Sequence, residues 1–264
     1  MIVGLVSNSE IIERKFEVRM PEKLEYLPNY NLHPGDDCVF VGTQKPNELI
    51  TMHYGLIPFW TKDSKEYYHA PMEGSNKEGS YKNGIILDPV FRKPIREQRG
   101  LLPVDYFIVE TDSGIPYLVF LKEKKQRPIG LACVWDMWKK EMTDDLSLGF
   151  SIMTIPSYGK FQKIGVKRMP IILPEHHYKK WLRNNLLLTQ VTQMFCFYDD
   201  KELNAFPISP EILNNRNNDR ALIEAKGEVI EKPKSEIILP KRESWFHRRK
   251  RFEDTEPWAV RRLG

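Results

Sequence analysis

Six short apolar runs follow one another with few helical stretches between them, and this succession constrains the fold more than any other feature of the chain. They are CVFVG (38–42), ELITMHYG (48–55), GLLPVDYFIVE (100–110), IPYLVFLK (115–122), IGLACVW (129–135) and GFSIMTI (149–155). Each has the length and the β-branched and aromatic content of a strand. Parallel strands need long, usually helical crossovers, and few helices separate these runs, so an α+β chain built on an antiparallel sheet or barrel is expected. The TDSG segment (111–114) is turn chemistry and predicts a hairpin between the third and fourth runs.

Helical signals lie at the margins. Asn8 and Ser9 are N-cap candidates for a helix over 8–18, with apolar residues Ile11, Ile12 and Phe16 at helical spacing. PEHHYKKWLRNNLL (174–187) predicts a second helix with proline in its first turn. The polar, glycine-rich SNKEGSYKNG (75–84) marks an exposed loop. Periodicity fades from about residue 227, which predicts one domain over 1–226 and a tail over 227–264. The tail has ten Lys and Arg against seven Asp and Glu, so most of the chain's net charge of +4 lies there, with Trp245, Phe246 and Trp258 beside the basic HRRKRF.

The three cysteines, Cys38, Cys133 and Cys196, are far apart and show no metal-ligand spacing, so buried reduced thiols, no metal and no cofactor are expected. His176 and His177 are adjacent and would leave a helix on different faces, which disfavours a metal pair. No apolar run approaches the ~20 residues of a membrane span, and the N-terminus becomes polar too early for a signal peptide, so a cytoplasmic location is expected.

Several motifs in order carry a resemblance: NYNLHPG (29–35), MHYGLIPFWTKD (52–63), FRKPIREQRGLLPVDYF (91–107), LACVWDMW (131–138), FSIMTI, KRMPIILP (167–174) and FPISPEILNNRNNDRALIE (206–224). Together they resemble the SRAP family, the SOS-response-associated or abasic-site-processing proteins. The resemblance implies a single α+β domain with an antiparallel β-barrel-like core, peripheral helices and a basic groove for single-stranded DNA. It also implies a chemistry in which an N-terminal cysteine, exposed by loss of methionine, condenses through its amine with the aldehyde of an abasic sugar and closes a thiazolidine through its thiol. A glutamate and a histidine move protons in that chemistry, and an asparagine of an Asn-Ala-Arg motif positions the sugar.

The departures fall where that chemistry would be. Position 2 is Ile2, which has no thiol and whose bulk hinders removal of Met1. The family's glutamate falls on Val109; Glu110 is adjacent but on the opposite face of a strand, and would substitute only across a bulge. The family's histidine falls on Val166, or on Lys163 in the longer loop variant. HAPMEG (69–74) resembles the Asn-Ala-Arg-x-Glu motif with His69 for asparagine, Pro71 for arginine and Glu73 retained.

The DNA-groove positions are kept. Asn31, Trp60, Thr154, Arg168, Met169 and Pro170 match residues that line or support the family's groove, with Pro34 and Pro58 shaping its walls. Arginine offers phosphate paired planar donors, and flat apolar side chains stack on unpaired bases. Three readings stay open. The first is a noncatalytic binder of single-stranded or junction DNA at abasic sites, in the DNA damage or SOS response, with nucleoid association. The second is residual crosslinking of abasic DNA through an amine, Met1 or Lys163, since a terminal α-amine near pKa ~8 is partly neutral at physiological pH. The third is an assembly protein whose tail, residues 227–264, docks on a protein partner.

Overall fold

The computed structural model describes residues 1–74, 84–139, 146–195, 197–214 and 216–231. The chain begins β1 (Ile2–Leu5), α1 (Ser9–Phe16), β2 (Asn29–Leu32), β3 (Asp37–Gly42), β4 (Ile50–His53) and β5 (His69–Pro71). It continues through α2 (Gly84–Leu87), α3 (Pro94–Glu97), β6 (Arg99–Val104), β7 (Tyr106–Glu110), β8 (Pro116–Leu121) and β9 (Ile129–Lys139). The remainder is β10 (Leu146–Pro156), α4 (Gly159–Lys163), β11 (Arg168–Pro170), β12 (Ile172–Leu173), α5 (Tyr178–Trp181), α6 (Leu188–Thr192) and β13 (Leu203–Pro207).

The expected α+β fold with a barrel-like core is what the strands build. In the larger sheet β10, β4, β3, β6 and β9 are neighbours in turn, and β9 pairs back onto β10, so five strands close on themselves. Closure removes the sheet edges. Most pairings are antiparallel, but β10 meets β4 and β5 in parallel. The β10–β4 seam is a single pairing, Gly149 with His53, and a β-carbon at Gly149 would stand 2.0 Å from the Gly55 carbonyl oxygen. Only glycine lets the backbones approach this closely. Phe150 fills the space beside the seam, stacked on Phe40 at 4.8 Å and on Tyr54 at 5.0 Å.

The second sheet has the order β13-β8-β7-β1-β2. Here the GLLPVDYFIVE run divides into two strands instead of one. Asp105 is the switch: its backbone N–H donates to the Gly4 carbonyl, and its carboxylate accepts from Val6 N at 2.6 Å, Ser7 N at 2.7 Å and Ser7 Oγ at 2.6 Å. One buried carboxylate thus anchors the exit of β1 where the chain leaves the barrel for the second sheet. The expected hairpin at TDSG joins β7 to β8.

Asn8 is the working N-cap of α1, its side chain accepting from Ile11 N at 3.0 Å, and the helix ends at Glu17 with φ 53. The second helix is much shorter than the 174–187 expected for it: a 3₁₀ turn over Glu175–His177 leads into the four residues of α5. Arg99, fully buried, explains the stop. Its guanidinium donates to the carbonyls of Trp181, Arg183, Ile95 and Arg96, so a side chain captures the carbonyls that a continuing helix would use.

The compact unit runs from Met1 to Glu231, its final segment being the residues from Lys226 onward. Those residues lie along β13: Lys226 N donates to the Pro207 carbonyl, Ile230 N donates to the Ala205 carbonyl, and the Glu231 carboxylate is held by Lys122 and Lys160. The rest of the tail, 232–264, and most of the expected 75–84 loop lie outside the described residues. Cys38 and Cys133 are buried free thiols, while Cys196 lies outside the described residues. Among the described residues no helix is long and apolar enough to cross a membrane.

Candidate functional site

Strand β1 is an inner strand, paired to β7 through Ile2 opposite Ile108 and to β2 on its other side. This pairing fixes where the chain starts. The Tyr54 hydroxyl, from just beyond β4, donates to the Met1 carbonyl at 3.2 Å, and the Ile2 side chain packs with Tyr106, Ile108 and Leu118. The Met1 α-amine is left facing His69 at the start of β5, 3.1 Å from its Nε2. β5 is itself held by β10, His69 opposite Ile152.

The amine opens on a cleft of about 480 Å³. Met1, His69, Glu110, Thr154, Lys167 and Arg168 supply its polar wall; Ile2, Pro34, Ile108, Val109 and Leu213 supply the apolar one, with His33 beside them. Burial lowers the pKa of the Met1 amine to about 6, with the Glu110 carboxylate opposing the shift. His69 is lowered to about 4, by burial first and then by the positive terminus and the Arg168 guanidinium. Both nitrogens are therefore neutral near pH 7. A second cleft, of about 460 Å³, is lined by Phe16, Thr43, Asn47, Leu182, Asn184 and their neighbours. Its lysine, Lys179, is tied to Glu17 in an ion pair, so it offers no free nucleophile.

Arg168 is anchored on both sides. Its guanidinium forms a two-pronged ion pair with Glu73, and donates from Nε to Thr154 Oγ1 at 3.0 Å and from Nη2 to the Thr154 carbonyl at 3.0 Å. Burial pushes the Glu73 carboxyl up, but the hydrogen bonds and charge of Arg168 outweigh it and hold the group below its usual range.

Of the residues singled out in the sequence, Ile2, His69, Val109, Thr154 and Arg168 converge on this cleft, and Glu73 joins them through Arg168. Others stand elsewhere. Met169 and Pro170 are buried within β11. Val166 is a core residue at 4% exposure, and Lys163 is exposed at the end of α4 without lining the cleft. Asn31 is buried on β2, its amide donating to the Asn217 carbonyl at 3.4 Å. Trp60 is 54% exposed, beside Phe59, whose ring carries the Lys93 ammonium at 4.0 Å; Pro58 is buried behind them.

Glu110 needs no bulge to reach the site. The β7–β8 register is regular, Val109 opposite Tyr117 and Glu110 opposite Pro116, but β7 ends at the cleft, so both of its last two residues border it. His33 and Lys167 also line the cleft, and the only signal for them in the sequence is that each adjoins a motif residue, Pro34 and Arg168.

The fold is shared with solved structures of bacterial proteins. One from Bacteroides thetaiotaomicron superposes with a TM-score of 0.69 at 19% identity, covering 85% of this chain and 98% of that one. Another, from Bordetella bronchiseptica, gives 0.60 at 18% identity, covering 79% and 99%. The sequence identifies the family within that fold: residues 3–215 match the model of the SOS response associated peptidase (SRAP) family, and the chain belongs to it. Among its relatives, the abasic site processing protein YoaM of Bacillus subtilis is 28% identical over 211 residues, covering 78% of this chain and 89% of the relative. The abasic site processing protein YoqW of Bacillus phage SPbeta is 27% identical over 223 residues, covering 82% and 94%.

Proposed function

We propose that the protein holds abasic single-stranded DNA in the Met1 cleft and captures the sugar aldehyde reversibly as a Schiff base on the Met1 α-amine. The observation that carries this reading is the amine itself, lodged in a cleft beside His69 with its pKa lowered to about 6. A neutral amine is a nucleophile and an ammonium is not. Addition to the C1′ aldehyde gives a carbinolamine, and loss of water gives the imine. His69, neutral and 3.1 Å away, can accept the amine proton at Nε2 and hold the lone pair toward the cleft.

Ile2 supplies no thiol to close a ring on that imine, and among the described residues no cysteine lines the cleft. The names of the relatives support an abasic-site substrate, in keeping with a role in the DNA damage response and a cytoplasmic, nucleoid-associated location. Capture is thus narrower than the family chemistry and richer than binding alone. Incubation with a single-stranded oligonucleotide carrying one abasic site, with borohydride, tests it. A covalent adduct that requires both the abasic site and borohydride is expected; no adduct would leave only the noncatalytic binding reading.

A binding role without chemistry has its own support in Phe59 and Trp60, two adjacent aromatic side chains exposed at 49% and 54%. Salt-sensitive gel shifts of undamaged single-stranded DNA test that part, and binding that ignores salt contradicts it.

A further inference from the structure

We infer that the imine formed on Met1 goes forward by β-elimination, so that the protein cuts the DNA strand on the 3′ side of the abasic sugar, with Glu110 as the base. This rests on the Schiff-base reading above and adds a strand-cleaving lyase activity to it.

An imine that nothing intercepts is activated for elimination. Protonated at nitrogen, it draws electrons from C2′ and makes the C2′ hydrogens acidic, while the phosphate on C3′ is a leaving group on the next carbon. A thiol on the same residue would remove the imine by ring closure. At this site the second residue is isoleucine, and the described thiols, Cys38 and Cys133, are buried away from the cleft with pKa values raised by burial. The imine then has two fates, hydrolysis back to the aldehyde or elimination, and a carboxylate base decides between them.

Glu110 is placed for that step. Among the described residues it is the only carboxylate lining the cleft, it ends β7 on the solvent side, and its charge acts on the Met1 amine. No hydrogen bond or ion pair among the described residues engages it, whereas Glu73, the nearest alternative, is committed to Arg168. Lys167 borders the same cleft, its exposed ammonium paired with Asp112 at 3.1 Å, and the departing phosphate would compete with that carboxylate for it.

The step balances without any redox partner. Glu110 takes a C2′ proton; the C–H electrons form the C1′–C2′ double bond of an enamine, whose return expels the C3′ oxygen with its phosphate and leaves an unsaturated imine. Water then hydrolyses that imine, freeing the Met1 amine and leaving an α,β-unsaturated aldehyde on one fragment and a 5′-phosphate on the other.

The test uses the full-length protein, an abasic single-stranded oligonucleotide labelled at its 5′ end, and parallel reactions with and without borohydride. Expected are an adduct with borohydride and, without it, a cut product ending in the unsaturated aldehyde. Glu110→Gln should lower cutting per trapped adduct on the order of 10²-fold, with partial recovery in Glu110→Asp. Adduct without cutting above that of protein-free DNA overturns the lyase inference and leaves Schiff-base capture standing. Absence of both adduct and cutting overturns the two together. Cutting that ends in a 3′-hydroxyl, or that persists undiminished in a folded Glu110→Gln, also overturns the inference.

Discussion

The Met1 α-amine and His69 Nε2 stand 3.1 Å apart, and burial has made both of them weaker bases than their exposed counterparts. The pairing makes the cleft sensitive to pH in a defined sense. With the amine at about 6 instead of 8.0, the rate of borohydride trapping should rise through pH 6 and level off near neutrality. A short peptide with the same N-terminal sequence should rise through about 8. A protein profile centred at 8 contradicts the lowered amine.

The same shifts act on stability. Each group binds its proton less tightly folded than unfolded, so the unfolded chain carries more protons and stability rises with pH. The Met1 contribution is full above 8.0 and is lost as pH falls toward 6; the His69 contribution is lost between 6.5 and about 4. Denaturant midpoints at pH 8, 6 and 4.5 should fall in that order, and His69→Asn should reduce the lower part of the loss.

Glu73 competes with DNA for Arg168. Because the carboxylate occupies both prongs of the guanidinium, Glu73→Gln should release Arg168 toward phosphate. Titrations of single-stranded DNA at several salt concentrations should then show tighter binding and a log–log salt slope steeper by about 0.7, the increment for one phosphate on a single strand. An unchanged slope would mean that Arg168 stays bound to Thr154 and reaches no phosphate.

Arg99 tests the scaffold and not the site. Its guanidinium is fully buried, its pKa is lowered to about 10 by that burial, and it satisfies carbonyls at the ends of α3 and α5. Arg99→Met leaves several buried acceptors without donors and should cost on the order of 3 kcal/mol or more in chemical denaturation. Loss below 1 kcal/mol would mean that water replaces the guanidinium.

Trp60 should behave as a base platform. Truncation to alanine at a side chain already 54% exposed should leave the thermal midpoint almost unchanged. Affinity for single-stranded DNA should weaken by ~1–3 kcal/mol, roughly 5- to 150-fold. Equal affinity in Trp60→Ala would place the bases elsewhere.

The barrel was legible because short apolar runs with few helices between them leave few alternatives. The break at Asp105 was not, since it depends on Val6 and Ser7, about a hundred positions away in sequence. The short α5 likewise reflects Arg99, which no local pattern links to residues 181–183. Within the site, Ile2 and His69 could be singled out through the motifs they depart from. Their meeting could not, because it requires β1 and β5, on different sheets, to converge. The burial of Met169 and Pro170 in β11 was not legible either, because the motif that singles them out carries no information on packing.

The central claim is that the Met1 α-amine is the group that reacts with the aldehyde. Proteolysis of the borohydride-trapped complex with trypsin, followed by mass spectrometry, tests it most directly, because cleavage after Arg14 isolates residues 1–14 in one peptide without any lysine. The adduct should lie on that peptide, at its terminal nitrogen. An adduct on Lys163 or Lys167, with the 1–14 peptide unmodified, would contradict the account.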